Sequence, residues 1–419
     1  MNLEPAKIGV LYYQPQKISL NVFHEKLNCV FENRWFTNSG PMETELAASI
    51  AKLHDVKHCV LLANATLALQ LTARALELKG QVITTPFSFV ATTQSLRWQG
   101  LTPLYVDIEP DYWNISPSAV SAAVQHNDTN VSGILAVHVF GIPCQATEID
   151  EIAAKANLAT FYDAAHCFGV KLNGKSIGSF GKAEILSFHA TKIFHTFEGG
   201  AVLTNDSALA RKIEKMRNFG FAGLDTIDSH GINAKMNEIS AAYGLSMLPH
   251  MDVTVSTLSR IHLRYRSRLN GIEGISFAPV APGLESNFQY CPILVDAQAF
   301  GLSRNEVWAA LWAKGIQTRR YFYPMLSEIH FSAVNNITSP PRLPLLPNAK
   351  RVTDSVLCLP CYVDLAEETV DEVAKQIAAL RDDRQAIRKW YLNFLQTPPP
   401  AGSLLNLHKA LSRRQPSVS

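Results

Sequence analysis

Residues 159–166 read Ala-Thr-Phe-Tyr-Asp-Ala-Ala-His, and residues 183–192 read Ala-Glu-Ile-Leu-Ser-Phe-His-Ala-Thr-Lys. Each is a short apolar run that ends in reactive side chains: Asp163 and His166 after the first, Ser187 and Lys192 after the second. Short apolar runs with polar boundaries are the pattern of strands covered on both faces. The pattern recurs over 81–85, 103–108, 133–140 and 201–204, with helical stretches over 45–53 and 66–78. Strands alternating with helices predict an α/β fold built on a mainly parallel sheet flanked by helices. In such a sheet ligands lie at the carboxyl ends of the strands. Asp163, Ser187 and Lys192 therefore point to one shared edge.

Past about residue 250 the pattern changes. A helix over 253–269, short strands near 289–295, a helix over 304–314, a strand near 358 and a helix over 367–380 predict a smaller α+β unit. The expected division is a large ligand-binding domain over 1–250, a small C-terminal domain over 251–385, and a basic tail over 386–419 that is flexible in part. From Arg384 onward there are six basic residues and no acidic one, whereas 32 basic and 36 acidic residues precede it.

The 419 residues carry a formal charge of only +2, with 47% hydrophobic and 18% charged residues. That composition excludes wholesale disorder and offers no global case for nucleic-acid binding. No run approaches the ~18 apolar residues of a membrane span. Met-Asn-Leu-Glu-Pro at the start lacks the basic and apolar regions of a signal peptide. Seven scattered cysteines fit free thiols in a reducing cytoplasm. Cys358-Leu-Pro-Cys361 is a lone pair in an apolar run, without the second pair or the histidines of a zinc site, and reads as a buried strand. No metal is expected.

Asp163 at a strand end either caps the next helix or holds a cationic ring nitrogen. A lone lysine such as Lys192 is ordinarily a solvated surface group. Together, an Asp at one strand end and a Lys just past the next, with the Ser187 hydroxyl five residues before it, match what pyridoxal 5′-phosphate requires. The carboxylate keeps the pyridine nitrogen protonated and the lysine carries the aldehyde, while the cofactor supplies the difficult chemistry. Ala63-Asn-Ala-Thr66, opening an Ala/Leu-rich helix, offers a phosphate cradle of backbone N–H groups and one hydroxyl, or else an ordinary helix cap. Phe89 either stacks on the pyridine face or is a core aromatic.

The stretches LLANATLALQL, VITTPFSFVATTQSLRWQG, PLYVDIEPDYWNISP, FYDAAHCFGV, SFHATKIFHTFEGGAVLTND and GINAKMNEISAAYG resemble, in order and spacing, the DegT/DnrJ/EryC1/StrS family of nucleotide-sugar aminotransferases. The resemblance covers roughly residues 18–385 and implies a fold-type I pyridoxal phosphate enzyme. It makes Lys192 the Schiff-base lysine and proton shuttle, and Asp163 the partner of the pyridine nitrogen. It places His166 near the cofactor's ring oxygen, Ala65, Thr66 and Ser187 on the phosphate, and Phe89 on the ring. Asn233 matches an Asn that reaches the phosphate from the neighbouring subunit, which implies a homodimer with shared sites. Lys235 departs from the Arg usual in the family and leaves local packing there open.

Within the family, Trp35-Phe-Thr-Asn-Ser-Gly-Pro41, the 84–92 and 187–200 segments, and Thr318-Arg-Arg-Tyr-Phe-Tyr-Pro324 look most like enzymes that aminate C4 of dTDP-4-keto-6-deoxyglucose with L-glutamate as donor. The product, dTDP-4-amino-4,6-dideoxyglucose, is a precursor of O-antigen-type surface polysaccharide. Amination at C3 of a dTDP-3-keto sugar, or at C4 of a UDP- or GDP-linked 4-keto sugar, stays open. Arg319, Arg320 and Tyr321 are candidate substrate contacts, since guanidinium groups suit a diphosphate; the alternative is a surface ion pair. Related sugar dehydratases replace the lysine with His, and a silent binding protein is expected to lose Lys192 or Asp163. Both residues are present.

Overall fold

The computed structural model describes residues 9–125, 130–329 and 345–396. Its centre is a seven-stranded sheet. In spatial order the strands are His58–Leu62, Gly200–Thr204, Ala183–Ser187, Ala159–Asp163, Val131–Val137, Gln81–Thr84 and Thr102–Tyr105. Four neighbouring pairs are parallel, as the repeated strand–helix pattern predicts. Gly200–Thr204 is the exception and runs antiparallel to both neighbours. Its reversal has a positional consequence. Parallel neighbours need a crossover that carries the chain to the opposite edge, whereas an antiparallel pair needs only a loop. Residues 188–199 therefore stay at the edge where Asp163 and Ser187 end, and they carry Lys192 there.

Local chemistry starts the helices where they start. Asn64 caps the Ala65–Ala75 helix by accepting from Leu67 N at 2.9 Å. Asp206 caps Ser207–Met216, Asn237 caps Glu238–Met247, and Ser303 with Glu306 forms a capping box on Arg304–Ala313. The sheet interior is filled by Leu61, Ile83, Ile134, Ala136, Tyr162 and Leu186 on one side, and by Val60, Val82, Leu135, Phe161, Ile185 and Val202 on the other. Alternation along each strand puts both sets out of water, so the strands read as continuous apolar runs.

From Met251 the chain forms the long helix Met251–Leu269, which packs on Glu367–Ala379. A three-stranded antiparallel sheet of Ile275–Phe277, Cys291–Val295 and Val356–Leu359 follows. Cys358 lies buried in its last strand and Cys361 is buried just beyond, as the apolar run predicts. The packed structure continues past residue 385: Arg384–Gln396 is a helix with Ile387 fully buried and Trp390, Tyr391 and Phe394 against the core. Residues 397–419, the rest of the basic tail, lie outside the described residues. Among the described residues no helix is long and apolar enough to cross a membrane, and no cluster of His, Cys, Asp or Glu is arranged to hold a metal ion.

Candidate active site

The register of the sheet assembles the site. Asp163 lies opposite Ile185, two residues before Ser187 on the neighbouring strand. Ser187 lies opposite Gly200, and Gly200 opposite Leu62 on its other side. Leu62 leads through Ala63 and Asn64 into the Ala65–Ala75 helix, whose first turn thus sits beside Ser187. Gly200 is needed for that approach: a Cβ there would lie 2.5 Å from Ala65 N and 2.6 Å from the Asn64 carbonyl carbon. The helix amides at Ala65 and Thr66 and the buried Ser187 hydroxyl are groups that could hold an anion, as helix N-termini can.

The loop bearing Lys192 is rigid by construction. Phe188 N donates to Gly199 O at 2.9 Å and Thr196 N to Phe188 O at 3.0 Å. Phe194 stacks on Phe168 at 4.2 Å and meets Phe188 edge-on. From the N-terminal segment, Tyr13 Oη donates to Ala190 O at 2.6 Å, and Gln16 O bonds His195 Nε2 at 2.8 Å.

Asp163 is buried, and no helix follows it, so the helix-cap alternative fails. Its Oδ2 accepts from Thr92 Oγ1 at 2.7 Å, and Oδ1 accepts from Ala165 N at 3.2 Å. Thr92 has its own partner in Ser88 at 2.7 Å. Burial raises the Asp163 pKa above the usual carboxylate range, opposed by these hydrogen bonds and by Lys192. Withdrawal from water pushes the Lys192 ammonium down to about 8, with Asp163 opposing. Lys192 Nζ donates to Tyr290 Oη at 3.1 Å. His166 accepts from Phe140 N through Nδ1 at 3.0 Å, and burial holds it well below the usual imidazole range. Neutral, with Nδ1 as acceptor, its ring carries a proton on Nε2 and offers it as a donor.

Phe89 is 51% exposed at the start of the Val90–Trp98 helix, so the core-aromatic alternative also fails. Asn233 is exposed, on a segment that pairs with the free edge of His58–Leu62 through Ala63 N to Ala234 O at 2.8 Å. Lys235 Nζ lies 4.5 Å from the centroid of the Phe219 ring, a cation–π contact at the position where the family resemblance leads one to expect Arg.

The 319–321 triplet divides. Arg320 stacks on Trp308 at 4.2 Å and bonds Asn305 Oδ1 at 2.9 Å, within the C-terminal unit. Arg319 covers Tyr321 and bonds its hydroxyl at 3.3 Å. Tyr321 in turn meets Tyr290, the partner of Lys192, at 6.1 Å. Among the described residues neither arginine forms an ion pair; their side-chain partners there are Asn305 and aromatic rings.

The family model for DegT/DnrJ/EryC1/StrS aminotransferases matches residues 20–378. The chain belongs to that family. It is 39% identical over 363 residues to the dTDP-4-amino-4,6-dideoxy-D-glucose transaminase of Escherichia coli, covering 86% of this chain and 96% of that one. The transaminase of the same name from Shigella dysenteriae is 39% identical over 368 residues, 88% and 98% of the two chains. Among solved structures, DesI with its TDP-sugar product superposes with a TM-score of 0.86 at 34% identity, covering 93% of this chain and 97% of that one. PseC of Helicobacter pylori, an aminotransferase of pseudoaminic acid biosynthesis, superposes at 0.80 with 25% identity, covering 89% and 99%.

The cofactor of this aminotransferase is pyridoxal 5′-phosphate. The residues at the site fit it. Burial opposes ionisation of the Asp163 carboxyl, and a cationic ring nitrogen would offset that cost. Burial brings the Lys192 ammonium down from the ordinary lysine range to about 8, which makes the neutral, carbonyl-binding amine more accessible. The close approach of the helix start at Ala65, which could take the phosphate, needs a residue without a Cβ at position 200.

Thr92, Tyr290 and the N-terminal brace were beyond the reach of sequence reasoning. Thr92 falls inside a stretch that flags the family, but nothing distinguishes it from Thr93. Tyr290 is 98 residues from its partner.

Proposed function

We propose that this aminotransferase moves an amino group from L-glutamate to C4 of dTDP-4-keto-6-deoxyglucose, forming dTDP-4-amino-4,6-dideoxyglucose. What carries the reading is the near full-length likeness to transaminases of that name, together with an intact Lys192–Asp163 pair at one sheet edge. In this reading the product feeds surface polysaccharide, and the enzyme works in a reducing cytoplasm, where its seven cysteines stay free.

When bound, the cofactor supplies an aldehyde that exchanges amino groups and a ring that takes up electrons. Lys192 would hold the cofactor through its aldehyde, and its amine is placed to move a proton at the substrate's reacting carbon. Asp163, oriented by Thr92, would pair with the protonated ring nitrogen. The Ala65 and Thr66 amides and Ser187 would hold the phosphate, with His166 Nε2 as a further donor and Phe89 as a stacking partner for the ring. Arg319 and Tyr321 face the nucleotide sugar. Arg320 is engaged by Trp308 and Asn305 instead.

The working unit is a homodimer in which Asn233 completes the partner's phosphate site. Exposed Phe219, Phe221, Leu224, Ile227 and Ile232 beside Asn233 give that surface an apolar character.

Borohydride treatment tests the covalent assignment. The cofactor is expected to be fixed on the Lys192 peptide, and Lys192→Ala is expected to take no covalent label and to lose transamination. Label on another lysine contradicts it.

A further inference from the structure

Between Lys192 and the C-terminal unit lies one phenol whose setting is more elaborate than a packing contact needs. Tyr290 is buried, and its Oη accepts from Lys192 Nζ at 3.1 Å. Two of the three residues before it are tied to loops at the edge of the large sheet. Asn287 Nδ2 donates to His166 O at 2.9 Å and to Phe168 O at 3.1 Å, and its Oδ1 accepts from Gln289 N at 3.2 Å. Gln289 Nε2 donates to Thr191 O at 3.2 Å, on the residue next to the lysine. The Tyr290 ring lies 4.6 Å from the His166 ring on one side and 6.1 Å from Tyr321 on the other. The clamp therefore fixes the hydroxyl relative to both Asp163's loop and Lys192's loop.

We propose that Tyr290 is a positioning residue for Lys192: its hydroxyl holds the lysine nitrogen whenever that nitrogen is not bonded to the cofactor. A phenol suits this task because it serves both protonation states. It accepts a hydrogen bond from the ammonium and donates one to the neutral amine. Burial keeps the Tyr290 proton in place by raising its pKa well above the ordinary phenol value, with Tyr321, Cys358 and Tyr13 adding to the rise and Arg319 opposing. The other titratable groups around the amine are Asp163, Cys167 and neutral His166, and Tyr13 bonds the Lys192 carbonyl at 3.3 Å. Among these, Asp163 acts on the lysine by charge, while Tyr290 is the side chain that hydrogen-bonds Nζ. A lysine released into the site is thus returned to one place rather than left to sample rotamers, and remains poised for proton transfer.

The proposal rests on Lys192 being the cofactor-bearing lysine, and its test separates the two. Tyr290→Phe keeps the ring and its contacts and removes only the hydroxyl. In cofactor-free enzyme, acetic anhydride labelling of the Lys192 peptide is followed against pH by mass spectrometry. The wild type is expected to inflect near pH 8. The hydroxyl bonds the ammonium more strongly than the neutral amine, so its loss disfavours the ammonium and the variant's inflection moves down by about half a unit, the difference between a charge-assisted and a neutral hydrogen bond. In loaded enzyme, kcat falls about tenfold with KM for the nucleotide sugar unchanged. An inflection that stays in place overturns the proposal, whatever happens to kcat. Borohydride label on a lysine other than Lys192 overturns the cofactor assignment instead, and the labelling curve is read independently of it.

Discussion

Asp163 and Lys192 act as a pair because each is shifted by burial and restrained by named neighbours. The Asp163 carboxyl is held by Thr92 at 2.7 Å, and Thr92 is held by Ser88 at the same distance. Thr92→Val keeps the shape and removes the donor. It pushes an already raised carboxyl pKa further up, so less of the ring-nitrogen proton's counter-charge is present near neutrality. We expect kcat to fall roughly 10- to 100-fold, the worth of one hydrogen bond to a charged group, with the fold unchanged by circular dichroism. A variant at wild-type rate would make Thr92 a packing residue. The Asp–Ser–Lys spacing made this pair legible, because strand ends in an α/β sheet share an edge. Thr92 and Tyr290 were not legible, because their roles depend on a register and a long-range clamp that spacing does not encode.

One glycine decides how two elements meet. Gly200 opens the strand that runs against its neighbours, and the Ala65–Ala75 helix begins directly above it. A methyl group there meets backbone, at 2.5 Å from Ala65 N and 2.8 Å from Ala65 Cα, with no flexible side chain to yield. Gly200→Ala is therefore expected to displace the first helical turn. Cofactor titration should show affinity weakened by at least about tenfold, and denaturation a loss of about 1–3 kcal/mol. Unchanged cofactor affinity would remove the helix terminus from the phosphate site. The strand over 159–163 is read from the sequence with its observed bounds, whereas the reversal of Gly200–Thr204 is not. An apolar run looks the same in either direction, and only the absence of a helix between 188 and 199 hints at an antiparallel return. His58–Leu62 and the N-terminal helix Leu20–Asn33 also escape the pattern. The first is a short run merging into the next helix, and the second has one buried residue, Val30.

At the scale of the molecule, the site draws on distant parts of the chain beyond the helix starts at Ala65 and Val90. The sheet edge supplies Asp163 and Ser187, the braced loop supplies Lys192, and the C-terminal unit brings Tyr290, Tyr321 and Phe322, whose ring lies parallel to His166 at 5.9 Å. Asn233 and the exposed apolar residues around it lie on a surface that a second subunit would cover. If sites are shared, Lys192→Ala subunits mixed with Asn233→Asp subunits give heterodimers in which one site carries both lesions and the other neither. Activity should then return to at most about a quarter of wild type. Mixtures that stay silent would contradict the shared site.

The central claim, amino transfer to C4 of a nucleotide-linked 4-keto-6-deoxyhexose, is tested most directly by isotope. Holoenzyme is given dTDP-4-keto-6-deoxyglucose, the 3-keto isomer and L-[15N]glutamate together, and the products are resolved by NMR. The account predicts 15N on C4 of the sugar from the 4-keto substrate, with no transfer in Lys192→Ala. Label on C3 alone, or transfer that persists without Lys192, would contradict it.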